Sequence, residues 1–265
     1  MRLTFLGTGT SFGVPQIGCT CAVCQSKDPR DRRSRSGALL ETDGRVILID
    51  TPPELRLQMV EAGASRADAV IYTHEHADHT AGIDDLRIFS VRARQALPVY
   101  GPPETLARLR DTYRYIFDPE VVAYKGTSKP LLEPHPLEPG VEATVAGVPT
   151  IPLAFEHGHL RVFGYRFGAL AYLTDVKAVG PAEMARLRGL RVLVLNALWW
   201  RPHPTHMSIE EAVETARTLG AERTYLTHLT HETAHADLAA RLPPGVEPAY
   251  DGLVVDVCSG SCRGA

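Results

Sequence analysis

Ala69-Val-Ile-Tyr-Thr73 runs directly into His74-Glu-His76-Ala-Asp78-His79, and this stretch decides how the chain is read. The first five residues are apolar or β-branched and read as a buried strand. Ala81-Gly82 and the periodic residues that follow read as the start of a helix. The run between them therefore lies on a strand-to-helix loop, where side chains can converge at a sheet edge. Three imidazoles and a carboxylate within six positions are hard to explain by packing. A His-rich surface loop is the bland alternative, and it does not account for the order H-x-H-x-D-H. Imidazole suits Zn, Fe or Ni, and a carboxylate lets Mn or Mg compete. The pattern predicts a divalent metal site.

Composition sets the frame. The chain has 265 residues, 44% hydrophobic and 22% charged, enough for a substantial core and for one large domain. Its net charge of −3 gives no global reason to bind nucleic acid or a membrane surface. No stretch approaches the roughly 20 apolar residues of a membrane span. Met1 to Gly7 reads as a strand ending in a glycine turn rather than a signal peptide, so a cytoplasmic location is expected. In that reducing setting the five cysteines point to metal or chance rather than to disulfides.

Strand-like runs recur at Leu3 to Leu6, Val46 to Ile49, Ala69 to Tyr72, Ile151 to Phe155, Ala169 to Leu173, Val192 to Leu195, Thr224 to Thr227 and Leu253 to Val257. Helical patterns lie between several of them, at Pro53 to Glu61, Glu104 to Tyr113, Pro181 to Arg188 and Ser208 to Leu219. Ser208 with Glu211 three residues later is a capping box. The alternation predicts an α/β layered fold, with antiparallel sheet from Val141 to Leu173. The Pro-rich segment Lys129 to Pro139 reads as a long surface loop or flap base. Residues 1–257 read as one domain, and the small, polar tail 258–265 as frayed.

Further candidate ligands sit where strands end. His157 follows an apolar strand and precedes Gly158, Asp175 ends Ala171-Tyr-Leu-Thr174, and His228 ends Thr224-Tyr-Leu-Thr227. Each alone reads as a hydrogen-bonded His or a turn Asp. Together they gather at the C-terminal ends of strands, where ligands of such sheets collect.

In this order, His74-x-His76-x-Asp78-His79 with His157, Asp175 and His228 resembles the metallo-β-lactamase superfamily of binuclear hydrolases. The resemblance covers nearly the whole chain and implies an αββα sandwich with the site at one edge. It implies that His74, His76 and His157 hold one ion, that Asp78, His79 and His228 hold another, and that Asp175 bridges them. Mn and Zn both suit these donors. Leu6-Gly-Thr-Gly-Thr-Ser-Phe-Gly-Val-Pro15 and Gly18-Cys-Thr-Cys-Ala-Val-Cys24 further resemble the PhnP-like branch, which contains phosphoribosyl cyclic phosphate phosphodiesterases. Coenzyme-biosynthesis proteins of the PqqB type begin similarly. The glycines alone read as a tight turn, and form neither a Walker loop nor a complete G-x-G-x-x-G.

Cys19, Cys21 and Cys24 supply three soft ligands, and a structural zinc takes four. His231 is the expected fourth, because it lies three residues after His228; Cys258 or Cys262 are alternatives. Such a zinc would pin the N-terminal loop against the rim of the site.

Two ions roughly 3.5–4 Å apart can activate a water and clamp the oxygens of an in-line displacement at phosphorus. His206, ahead of the capped helix, is the candidate to contact phosphate and protonate the leaving oxygen, and the resemblance implies the same. Asp78 is expected to be indispensable. Blander readings fit other residues: Arg33 and Arg35 as solvated, His135 and His235 as surface, His203 as rim. Trp199-Trp200 reads as a stacking wall or core, and His159 as an alternative to His157. The expected activity is hydrolysis of a small cyclic or diester phosphate, in its sharpest form a phosphoribosyl 1,2-cyclic phosphate. RNA 3′-end processing of the tRNase Z kind is the runner-up, although the slightly acidic charge and the lack of a long arm speak against nucleic acid. A PqqB-like protein without phosphodiesterase activity is the alternative of a different class, and thioesters and β-lactams are further substrates for the same metals. The branch also implies a homodimer.

Overall fold

A computed structural model describes residues 1–257; the tail 258–265, with Cys258 and Cys262, lies outside the described residues. In chain order the strands are β1 (Arg2–Gly7), β2 (Gly37–Thr42), β3 (Arg45–Ile49), β4 (Ala69–Ile71), β5 (Leu97–Gly101), β6 (Leu132–Pro136), β7 (Ala143–Val145), β8 (Val148–His157), β9 (Leu160–Phe167), β10 (Leu170–Leu173), β11 (Val192–Asn196), β12 (Arg223–Thr227), β13 (Val246–Pro248) and β14 (Val254–Asp256). They form two seven-stranded sheets, ordered β14-β1-β2-β3-β4-β5-β6 and β13-β12-β11-β10-β9-β8-β7.

The alternation of side chains along each strand builds the layers. Ile47, Ile49, Ala69 and Ile71 meet Phe163, Tyr165, Phe167, Val192 and Val194 between the sheets. Their neighbours Leu48, Val70 and Tyr72 face outward and pack on Leu55, Met59, Ile83, Leu86 and Leu109. On the second sheet Leu193 and Leu195 pack outward against Ile209, Ala212, Ala216 and Leu219. Helix, sheet, sheet, helix: this is the expected αββα sandwich. Strands β4 and β11 are buried on both faces, which is why they read as unbroken apolar runs.

Two local expectations are corrected. The segment Lys129 to Pro139 is not simply a loop, because β6 lies within it and pairs in parallel with β5 at the sheet edge. Pro134 and Pro136 are tolerated there, since an edge strand needs ladder N–H groups on one side only. The helix after the His run also starts earlier than Ala81. Ala77–Thr80 forms a single helical turn with His76 as N-cap, so Asp78 and His79 project from that turn rather than from a loop. Gly82 closes it, because a Cβ there would lie 2.2 Å from the Pro52 carbonyl oxygen. The helix Ile209–Leu219 has the predicted capping box, with Ser208 and Glu211 satisfying each other's N–H groups.

Candidate metal centre

The ligand candidates meet at the C-terminal ends of the parallel strands β4, β10 and β12 and of the antiparallel strand β8. Donor atoms of His74, His76 and His157 lie within 4.8 Å of one another, as do those of Asp78, His79 and His228. Asp175 stands between the groups: its Oδ2 is 3.2 Å from His79 Nε2 and its Oδ1 is 3.3 Å from His228 Nε2, and it also has donor atoms within 4.8 Å of His74 and of His157 in the other group. His74, His79, His157, Asp175 and His228 are buried. Three non-glycine residues at this edge, Asp50, Asp175 and His228, have φ near +60° (61°, 58° and 59°). Left-handed backbone costs of order 1 kcal/mol or more for a side-chain-bearing residue, and such strain clusters at functional sites.

A second layer of partners orients the rings. Asp50, which the sequence reading did not single out, accepts from His79 Nδ1 at 2.8 Å and from both the N–H and the hydroxyl of Thr73 at 2.8 Å. Since a carboxylate only accepts, His79 keeps a proton on Nδ1 and turns Nε2 inward. His157 Nδ1 donates to the Thr205 carbonyl at 3.1 Å, leaving Nε2 free in the same way. Ser36 donates to the Gly9 carbonyl at 2.9 Å and stands 3.2 Å from His228 Nδ1. Thr73 likewise stands 3.0 Å from His74 Nδ1. His74 Nε2 then faces His76 Nδ1 at 3.0 Å.

The residues fit divalent ions on the structure's own terms. His79 Nε2 is buried with no hydrogen-bond partner, although Asp78 and Asp175 stand 3.4 and 3.2 Å away. A cation resolves that orphan. Burial works against charge on His79, but Asp78, Asp175 and Asp50 outweigh it and lift its pKa well above the usual value. Burial likewise opposes charge on Asp78 and Asp175, yet the facing imidazoles hold both carboxyls below their usual range. Burial lowers His74 and His157 and takes His228 down to about 4. Neutral imidazoles and ionised carboxylates are the ligating forms, so an ion at His79 Nε2 would take the place of the proton that these carboxylates otherwise hold there.

The donors open onto a cavity of about 440 Å³ lined by Ser11, His76, Asp78, His157, Gly158, His159, Leu160, Asp175, Thr205, His206 and His228. His206 Nε2 donates to Asp175 Oδ1 at 2.8 Å, and its Nδ1 lies 2.9 Å from Thr205 Oγ1. His203 sits behind it, 3.2 Å away and against Trp199. His159 reaches the cavity but is not among the clustered donors, whereas His157 is. The helix after His206 does not offer the free N–H groups expected for an anion. Those of Met207, Ser208, Ile209 and Glu211 are taken by Val176, Glu211, Trp199 and Ser208 respectively.

The cysteine cluster lies at the other end of the same segment. His231 Nδ1 is 3.4 Å from Cys19 Sγ, 3.3 Å from Cys21 Sγ and 3.4 Å from Cys24 Sγ. A tetrahedron with the usual Zn–S and Zn–N lengths has S···N edges of about 3.5 Å, so the four donors already surround a zinc-sized hole. The Cys24 N–H and the His231 ring hold the Cys21 thiol down to about 6, whereas burial pushes Cys24 up to about 11. The N-terminal loop is laced to the catalytic edge: Leu229 N–H donates to Thr8 at 2.9 Å and Thr10 N–H to Leu229 at 3.2 Å. Gly7 is required for close approach rather than for a turn, since a Cβ there would sit 2.0 Å from the Arg35 carbonyl oxygen.

Three bland readings are corrected. Arg33 is buried, with its guanidinium bonded to Thr8, the Ala249 carbonyl and His235. His235 is buried too, against Arg33 and Tyr250. Arg35 is half-buried and paired with Glu54. Trp200 packs on the second-sheet core and donates to Thr233 at 3.1 Å, so the core reading holds for it.

A family model for the β-lactamase superfamily domain matches residues 45–229, a span that holds all seven catalytic-site candidates and none of the cysteine-site donors. The chain belongs to this superfamily and has its metallo-hydrolase fold. Among solved structures it is similar to one described as a new diphosphatase from the PhnP family, with 41% identity, a TM-score of 0.88, and 96% of this chain and 97% of that one covered. It is 41% identical over 256 residues to a protein of Porphyromonas gingivalis named octanoyltransferase, covering 96% of this chain but only 51% of that protein. The chain thus spans about half that relative's length. A ribonuclease Z of Methanopyrus kandleri is 30% identical over 305 residues, covering 96% and 97%. No helix among the described residues is long and apolar enough to cross a membrane.

Proposed function

We propose that this chain is a phosphodiesterase of the PhnP-like branch that hydrolyses a small cyclic or diester phosphate, with phosphoribosyl 1,2-cyclic phosphate as the sharpest form of the reading. The observation that carries it is His206, seated at the cavity wall 2.8 Å from the carboxylate that stands between two potential ligand triads. In this reading His74, His76 and His157 hold one divalent ion, Asp78, His79 and His228 the other, and Asp175 both. Such ions polarise phosphoryl oxygens and bring the pKa of water toward about 7. Cys19, Cys21, Cys24 and His231 hold a structural zinc.

The protein's own part is orientation and proton handling. Asp50, Thr73, Ser36 and Thr205 fix the ring nitrogens, and Asp175 orients His206. The Nε2 proton of His206 rests on Asp175 Oδ1; with that carboxylate engaged by ions, the same N–H at the cavity wall would be free to pass its proton to an alkoxide as it leaves phosphorus.

A diphosphate substrate is the second reading, favoured by the likeness to the PhnP-family diphosphatase. RNA processing is less well supported. The ribonuclease Z alignment runs over 305 positions, 40 more than this chain has residues, which leaves this chain without segments its relative has. Octanoyl transfer is the name of a protein twice as long, and among the described residues Leu160 is the one large aliphatic side chain lining this cavity.

The test is turnover of a panel with Mn, Zn or Ni added: bis-p-nitrophenyl phosphate, ribose cyclic phosphates, cyclic nucleotides, a nucleoside diphosphate and an octanoyl thioester. The proposal expects the cyclic or diester phosphates to lead. Turnover confined to the thioester, or to none of the phosphates, overturns it.

A further inference from the structure

We infer that Lys177 is a positioning residue for His206, acting through a clasp with Glu211; the inference rests on the phosphodiesterase reading above. Lys177 follows Asp175 by two residues on the loop after β10. Its Nζ lies 2.7 and 2.9 Å from the two Glu211 carboxylate oxygens and 3.4 Å from the His206 carbonyl. Glu211 in turn accepts from Ser208 N–H at 2.7 Å, and Ser208 Oγ accepts from Glu211 N–H at 3.1 Å. Met207 N–H donates to Val176 at 3.1 Å, and Lys177 N–H to Glu156, the neighbour of His157, at 3.4 Å. One residue therefore ties together the segments that carry His157, Asp175 and His206.

The geometry gives that tie a purpose. Asp175 and His206 are 31 residues apart, so their 2.8 Å contact depends on how two loops sit relative to each other. The loop after β10 leaves Asp175 in left-handed backbone and has no helix or ladder to hold it. Partial exposure of Lys177 and Glu211 (28% and 42% of their side chains) means the pair contributes little to stability. Val176 is already bonded to Asn196 and Met207, so the contribution of the pair is registry: it adds a side-chain anchor between the Asp175 loop and a capped helix.

The experiment is a double-mutant cycle with Lys177→Met and His206→Ala, with Lys177→Arg as rescue, on diesters leaving as a ribose alkoxide or as p-nitrophenolate. Lys177→Met is expected to lower kcat on the alkoxide ester roughly 10–100-fold, as a sub-ångström misplacement does, with KM, metal content and melting temperature little changed. The loss should be small with nitrophenolate, be largely restored by Lys177→Arg, and vanish in the His206→Ala background. An undiminished loss in that background, or equal losses on the two esters, overturns the inference. So does an unchanged rate for Lys177→Met while His206→Ala is crippled, which leaves the phosphodiesterase reading standing. If His206→Ala itself costs nothing on either ester, the reading beneath has failed as well.

Discussion

Two clusters of ligand-type side chains occupy the ends of one short segment, His228 and His231, and they are built in opposite ways. The catalytic cluster takes nitrogen and oxygen donors from many strand ends and from one helical turn. It is mostly buried and is backed by Asp50, Thr73, Ser36 and Thr205. The cysteine cluster takes three sulfur donors from six consecutive residues that contain no helix or strand. Its support is a few turn hydrogen bonds, such as Cys19 N–H to the Gln16 carbonyl and Gln25 N–H to the Cys21 carbonyl, with two N–H···S contacts of 3.4 Å, from Gln16 to Cys24 and from Cys24 to Cys21. In the proposed reading the fold holds the first cluster in shape, so its ions would exchange, whereas at the second an ion would hold the loop.

The largest effect should come from the catalytic side. Asp78→Ala removes a donor that nothing nearby replaces, and is expected to reduce hydrolysis to background and lower the metal bound per chain. Elemental analysis beside kinetics checks this, and full activity would break the two-ion picture.

Asp50→Asn is the next step down. The amide keeps one acceptor oxygen where the carboxylate has two, so it can serve either the Thr73 N–H or the His79 Nδ1–H but not both, and metal affinity or rate should fall roughly 10–100-fold, the usual cost of losing a ligand's orienting partner. Metal titration followed by activity measures it. No change would mean that the fold alone sets the ring.

Cys21→Ser should leave catalytic-metal content intact, yet lower the melting temperature by about 5 °C, equivalent to 1–2 kcal/mol in a chain of this size. Mild chelation of the wild type should abolish activity while the thiolate-held zinc remains. Loss of both metal pools together would erase the contrast between the clusters.

The smallest effect concerns the ground beneath the cysteine loop, where Arg33 pairs with Val14 and donates to His235. Burial, and then the Arg33 charge, take the His235 pKa down to about 4. The unfolded chain binds that proton near pH 6.5, so it holds more protons than the folded chain between about pH 6.5 and 4. Stability from this residue is thus complete above 6.5 and is lost progressively as pH falls through that window. Denaturant unfolding of wild type against His235→Gln should diverge only there. Parallel pH profiles would contradict the assignment.

Much of the site is legible in the sequence because the chemistry demands unusual residues. A strand running into H-x-H-x-D-H is hard to reconcile with anything but metal binding, and His157, Asp175 and His228 stand out by ending strands. Asp50 ends Val46 to Ile49 in the same manner, yet nothing local marks it, because its partners Thr73 and His79 lie 23 and 29 residues away. Arg33 and His235 are separated by 202 residues, and a charge inside a basic run looks solvated until its partners are known. Prolines hide β6, since the residues that suit an edge strand are the ones that usually mark a loop.

The central claim is that this edge site performs phosphodiester chemistry with His206 as proton donor. Its most direct test is His206→Ala assayed on an alkoxide-leaving and a nitrophenolate-leaving diester, with metal analysis of the same samples. The account predicts unchanged metal content, a loss of about 10²–10⁴-fold on the alkoxide ester, and a much smaller loss on the nitrophenyl ester. Loss of a catalytic ion in the variant would make His206 a ligand instead, and unchanged rates on both esters would remove it from the mechanism and contradict the account.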